Sequence, residues 1–99
     1  MSQTMPKTDL ATLRNVGKAA LADFALLNIH SIAQLATQEP DTLYLALCHA
    51  TGQRHDPCVH DVLNAAIHQA RTGEALNWWM FTPERKVRQA QGTFPHYSP

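Results

Sequence analysis

Leu13-Arg14-Asn15-Val16-Gly17-Lys18 is the stretch whose reading decides the fold. It lies between two short segments with apolar residues at helical spacing, and its own residues suit a tight turn. Asn enters left-handed backbone angles more readily than other non-glycine residues, and Gly does so freely. The run therefore predicts a turn over Arg14–Gly17 with Asn15 in the left-handed region and Val16 tucked beneath it. A helix should start at Lys18. The amide groups opening such a helix carry the positive end of its dipole and suit a phosphate. Gly17 leaves that approach open, and Lys18 adds charge beside it.

Two short helices joined in this way form a helix-hairpin-helix element, and the neighbouring sequence fits one. Thr8 can cap a first helix that buries Leu10 and Leu13. The second runs to about Leu27, with Ala20, Leu21, Phe24 and Leu27 on one face. Asn28 follows where a left-handed residue closes a helix, and Ile29 fills the turn. Ser31 and Gln34 match a capping box opening a short helix with Ile32 and Leu35. Pro40 suits the first position of a helix carrying Leu43, Leu47 and Ala50 and stopping near Gly52. Asp56-Pro57 repeats that start for the most strongly patterned helix. Its apolar stripe is Val59, Val62, Leu63, Ala66, Ile67 and Ala70, with His60, Asp61, Asn64 and His68 on the polar side and Gly73 at its end.

Leu76–Phe81 is apolar enough to lie across these helices as a plug or lid. Thr82-Pro83-Glu84 can open one last basic helical turn, and Gly92–Pro99 reads as disordered. No run alternates as a strand does. The expected class is all-α: one compact domain of about five short helices, with a helix-hairpin-helix element and an aromatic C-terminal segment. The expected division is a flexible tail over 1–7, the domain over 8–81 and a basic, partly disordered tail over 82–99.

At 99 residues and 44% hydrophobic, the chain buries roughly 60–70% of its unfolded surface, enough for one core without metal or disulfide help. Its N-terminus lacks the apolar stretch of a signal peptide, and no run is long enough to span a bilayer, so the expected location is the cytoplasm. Cys48 and Cys58 then read as reduced thiols. Eight basic residues balance eight acidic ones, whereas a dedicated nucleic-acid binder usually carries a basic excess. The basic residues gather near the hairpin and after Thr82, and the middle of the chain is acidic.

Cys48, His49, His55, Cys58 and His60 fall within thirteen residues, a density that can hold zinc. Their spacing lacks the Cys-x-x-Cys or His-x-x-x-His pair of finger and ribbon sites. The two cysteines read instead as small buried groups between neighbouring helices, with the histidines solvated. Cys58 stands at a helix start, where a thiolate is stabilised, but no acidic partner or oxyanion site accompanies it. Neither a metal, a cofactor nor a catalytic residue is expected, and the chain is not read as an enzyme. Trp78 and Trp79 suit either stacking on bases or one core anchor beside a half-exposed neighbour that meets a protein.

Taken together, several of these pieces resemble the bacterial pathogenicity-locus family, whose members are labelled mitomycin resistance proteins. The resemblance covers Leu10 to Phe81. It rests on Asn15-Val16-Gly17-Lys18, on Asn28-Ile29-His30-Ser31-Ile32 with Leu35, and on Pro40, Leu43-Tyr44, Leu47-Cys48 and Gly52. Asp56-Pro57-Cys58-Val59 and Trp78-Trp79 complete it. Arg14 stands where proline is usual in the hairpin, and Asn at both expected glycines. The resemblance implies a helix-hairpin-helix-like fold and a link to DNA. The function expected is sequence-independent DNA contact through Arg14, Asn15, Val16, Gly17 and Lys18. The alternative is a protein-interaction domain whose hairpin is structural and whose Trp78 and Trp79 meet a partner.

Overall fold

A computed structural model of the chain describes residues 9–98. The expected 1–7 tail and the Thr8 cap lie outside them. The chain is all-α. A 3-10 turn at Asp9–Thr12 precedes helices α1 (Lys18–Leu26), α2 (Ile32–Ala36), α3 (Pro40–Thr51) and α4 (Pro57–Thr72); a second 3-10 turn, Trp78–Phe81, precedes α5 (Thr82–Gln91). The described residues contain no strand.

Local chemistry sets the helix ends. Asn28 has φ 65°, the sole non-glycine residue among those described with a left-handed backbone. It lets Ile29 N–H reach the Phe24 carbonyl at 2.8 Å and Asn28 N–H reach Ala25 at 3.1 Å, which satisfies carbonyls the helix end would otherwise leave bare. Ser31 Oγ accepts from Gln34 N–H at 3.1 Å, and the Gln34 side chain accepts from His30 N–H at 2.7 Å. The box thus closes one residue earlier than the usual pattern. Asp56 caps α4 by accepting from Cys58 N–H at 2.8 Å, and Gly52 ends α3 with φ 69°.

The core gathers Leu10, Leu13, Val16, Phe24, Ile29, Leu35, Leu43, Tyr44, Leu63 and Ile67 around α4. Helices α2 and α3 and the second 3-10 turn all pack on α4. Burying one such Leu or Phe side chain is worth about 1.5–3 kcal/mol, so α4, with five of its apolar residues within or against the core, is the axis of the domain.

Two expectations fail here, for one reason. His60 and Asp61, placed on a wet face by periodicity, are 3% and 0% exposed. Residues 82–98, expected as a basic and partly disordered tail, supply what covers them. Helix α5 spans ten residues, Phe94 packs on the rings of Tyr44 and His60 at 5.5 and 4.9 Å, and Tyr97 is buried against His49 at 4.8 Å. Charged residues read as solvated face, but these charges answer one another. Arg85 Nη2 meets Asp61 Oδ2 at 2.9 Å, and the Thr82 hydroxyl donates to the same carboxylate oxygen at 2.8 Å. Arg88 grips Asp41 with both Nη atoms, at 2.9 and 2.7 Å, a bidentate fork of the strong kind.

Candidate functional site

The hairpin forms as a tight turn between the first 3-10 turn and α1. Leu13 N–H bonds to the Leu10 carbonyl at 3.1 Å and Val16 N–H to Leu13 at 3.2 Å. Val16 is buried beneath the turn, as its apolar character predicts. Gly17 caps α1 with φ −103° and ψ −165°, and no side chain caps that end. This is extended backbone that any residue adopts, so its glycine answers no conformational need. A Cβ there would meet nothing within 4 Å, so the approach to the α1 amides is open.

Asn15 departs from its expected role. Its backbone is not left-handed. Its side chain turns inward instead: Nδ2 donates to the Leu76 carbonyl at 2.8 Å, and Oδ1 accepts from Trp78 N–H at 3.0 Å. One amide thereby imitates a strand of backbone and ties the hairpin to the aromatic segment more than sixty residues away. The sequence signal for this was available only as Asn in a glycine's place, where local turn chemistry offered a sufficient reason. Arg14 is held at its backbone, its N–H donating to Gln69 Oε1 at 2.9 Å. The site residues predicted from sequence therefore divide: Arg14, Gly17 and Lys18 are exposed, and Asn15 and Val16 hold the turn from within.

The cations divide in the same way. Arg71 bonds the carbonyls of Ala36 and Gln38 and meets Glu39 at 3.2 Å, and Arg85 and Arg88 are bound to Asp61 and Asp41. Arg14, Lys18 and Lys86 are exposed and make no ion pair among the described residues. One acid is near the hairpin. Asp23 shares a hollow with Asn15, Gly17 and Ala19, and burial pushes its carboxyl up while His55 opposes that shift.

Trp78 is half-buried, Trp79 57% exposed and Met80 51% exposed. Both tryptophans line an open groove of about 620 Å³ with Cys58, Pro83 and Lys86. Burial pushes the Cys58 thiol up and hydrogen bonding with Asp56 adds to the rise, while Arg85, whose Nη2 lies 3.5 Å from the sulfur, opposes it. Cys48 is fully buried. Among the described residues no group of three His, Cys, Asp or Glu side chains is placed to hold a metal ion, and the histidines of the 48–60 stretch do not converge. His60 directs Nε2 to Asp41 at 2.8 Å and packs in a triangle with the rings of Tyr44 and Phe94, its buried Nδ1 without a hydrogen-bond partner among the described residues. The Arg88 fork, with His60 as a further donor, holds the Asp41 carboxyl below its usual range.

The pathogenicity-locus family, Cdd1, matches residues 4–87. The chain belongs to this family. Mitomycin resistance protein McrB of Streptomyces lavendulae is 44% identical over 79 residues, covering 80% of this chain and 75% of that one. No solved structure gives a significant match. The family match takes in the hairpin, the Trp78–Trp79 segment and Arg85, and stops before Arg88, Phe94 and Tyr97. No helix among the described residues is long and apolar enough to cross a membrane.

Proposed function

We propose that this family member is a non-enzymatic, helix-hairpin-helix-like module of the cytoplasm that contacts the DNA backbone without regard to sequence. The observation that supports this reading is the uncapped start of α1 beside Arg14 and Lys18. Those two side chains make no ion pair among the described residues, whereas Arg71, Arg85 and Arg88 are each committed to an acid of the fold. Open amides with fixed positive charge suit a phosphate oxygen. Asn15 and Val16 serve this contact by holding the turn, and Arg14, Gly17 and Lys18 meet the phosphate. With zero formal net charge, long-range attraction is small and the contact is of modest affinity. The relative's name extends the reading to a part in mitomycin resistance, to be checked by survival of a deletion strain on the drug.

A salt titration of duplex binding is the test. Two phosphate contacts give a slope of log affinity against log salt of about −2, and Lys18→Glu removes about one unit of it while weakening all sequences alike. Absent binding at low ionic strength, or binding indifferent to salt, refutes the proposal. The exposure of Trp79 and Met80 beside an apolar groove favours a second reading, a protein-interaction domain. Self-association or partner capture that Trp79→Ala abolishes, with no DNA binding, would select it.

A further inference from the structure

The groove at the second 3-10 turn is separate from the hairpin in sequence but joined to it in space. Asn15 is hydrogen-bonded to Trp78 N–H at 3.0 Å, and Trp79 is the next residue, one Cα–Cα step of about 3.8 Å further on. The hairpin that exposes Arg14 and Lys18 is therefore tied directly to a residue that walls the groove. The groove walls are mostly apolar, with Trp78, Trp79 and Pro83 among them. Of the two cations that line it, Arg85 is paired with Asp61, and Lys86 makes no ion pair among the described residues.

An occupant that suits both the groove and the hairpin carries negative charge together with flat apolar faces. An apolar peptide helix would suit the groove walls but leaves Lys86, Arg14 and Lys18 unanswered. A base-paired duplex supplies the charge and keeps its base faces inside the stack. A strand with unpaired bases supplies both. Each base can lie on an aromatic ring while neighbouring phosphates meet the cations, and such stacking is indifferent to which base is present.

We infer that the Trp78–Trp79 groove receives unpaired bases of the DNA strand whose phosphates meet the hairpin, so that single-stranded DNA or the single-stranded arm of a junction is the preferred ligand. This inference rests on the phosphate contact proposed for the hairpin and adds the form of nucleic acid it takes. Trp79 does the stacking, since more than half its surface is open. Trp78 walls the groove and is held by Asn15, and Lys86, which lines the same groove, meets a phosphate of the strand.

The test measures binding of the full chain to a thymine 20-mer and to a 20-base-pair duplex at low salt, with intrinsic tryptophan emission as a second signal. The single strand should bind more tightly and quench the emission. Trp79→Ala should weaken the single strand about tenfold, in line with the loss of one stacked base, and leave the duplex within about twofold. Lys86→Glu should weaken the single strand more than the duplex, and Lys18→Glu should weaken both. Duplex binding equal to or tighter than single-strand binding, with Trp79→Ala silent, overturns this inference and leaves the hairpin contact standing. Loss of binding to both forms in the unaltered chain overturns the hairpin reading and this one together. Capture of a protein through Trp79, with no quenching by either DNA, also overturns it. Trp79 is exposed, so its variant folds, and its circular dichroism should match that of the unaltered chain.

Discussion

The two ends of the domain are built by different means. Residues 9–29 are held mainly by apolar side chains and by backbone closures made within the segment, with Leu10, Leu13, Val16, Phe24 and Ile29 buried and Asn28 closing α1. Residues 76–98 add to the packing of Phe94 and Tyr97 a set of polar groups reaching far along the chain: Trp78 to Asn15, Arg85 to Asp61 and Arg88 to Asp41. The first kind of docking loses a little with each substitution. The second concentrates its stability in a few pairs, each of which leaves a charge or an amide stranded when its partner goes.

The sharpest way to break the comparison is Asp61→Ala. It leaves the nearly buried Arg85 unpaired, and losing one partner of such a pair costs about 3–5 kcal/mol. Chemical unfolding should show this loss, and Asp61→Leu with Arg85→Met should recover most of it. Recovery would establish that the pair fixes where α5 sits more than it stabilises the fold. A loss no larger than that of an exposed pair would put the C-terminal region on the same footing as the N-terminal one.

Asn15→Ala is the next largest. It removes two hydrogen bonds and leaves the half-buried Trp78 N–H and Leu76 carbonyl without their partner, at about 1–3 kcal/mol for each group so stranded. The change should appear in tryptophan emission as well as in denaturant midpoint, because the aromatic segment is what comes loose. A change in midpoint with emission intact would mean the turn alone had suffered.

Acid gives the smallest and most graded effect. The Arg88 fork holds the Asp41 carboxyl below its ordinary value, so its stabilising contribution is whole above that ordinary value, about 3.9, and fades as pH falls through the depressed one. Between neutrality and about pH 4 the Arg88–Asp41 clasp should therefore be insensitive to pH, and below that α5 should loosen. Phe94 packs beside His60, close to this clasp, and amide exchange in Thr82–Gln91 would report the loosening. Arg88→Gln should reduce the acid sensitivity of that segment to the part His60 sustains, and an undiminished sensitivity would assign the effect to another carboxylate.

The same contrast explains what the sequence disclosed. Starts and stops were legible because their chemistry is local: Ser31 with Gln34, Asp56 with Pro57, Asn28 at a helix end. The apolar stripe of α4 was legible because Leu63, Ala66 and Ile67 recur at helical spacing. The burial of His60 and Asp61 was not, because it depends on Arg85, Asp41 and Phe94, and no spacing rule links residues twenty to fifty positions apart. For the site, sequence located the exposed ends, Gly17 with Lys18 and Trp79. It misread the joint between them, since Asn15 has a valid local reason to stand in a turn and a different, distant one for being an amide.

The distance spanned by these ties has a consequence for how the domain comes into being. Chains are made from the N-terminus at about 5–20 residues per second. During synthesis Asn15, Asp41 and Asp61 are all in place before Trp78, Arg85 and Arg88 exist. Asp61 is therefore made about one to five seconds before Arg85, its counter-ion. Until that partner is in place the buried pair cannot form and the domain cannot close. Helix α5 and Phe94, made after α4, are what seal it.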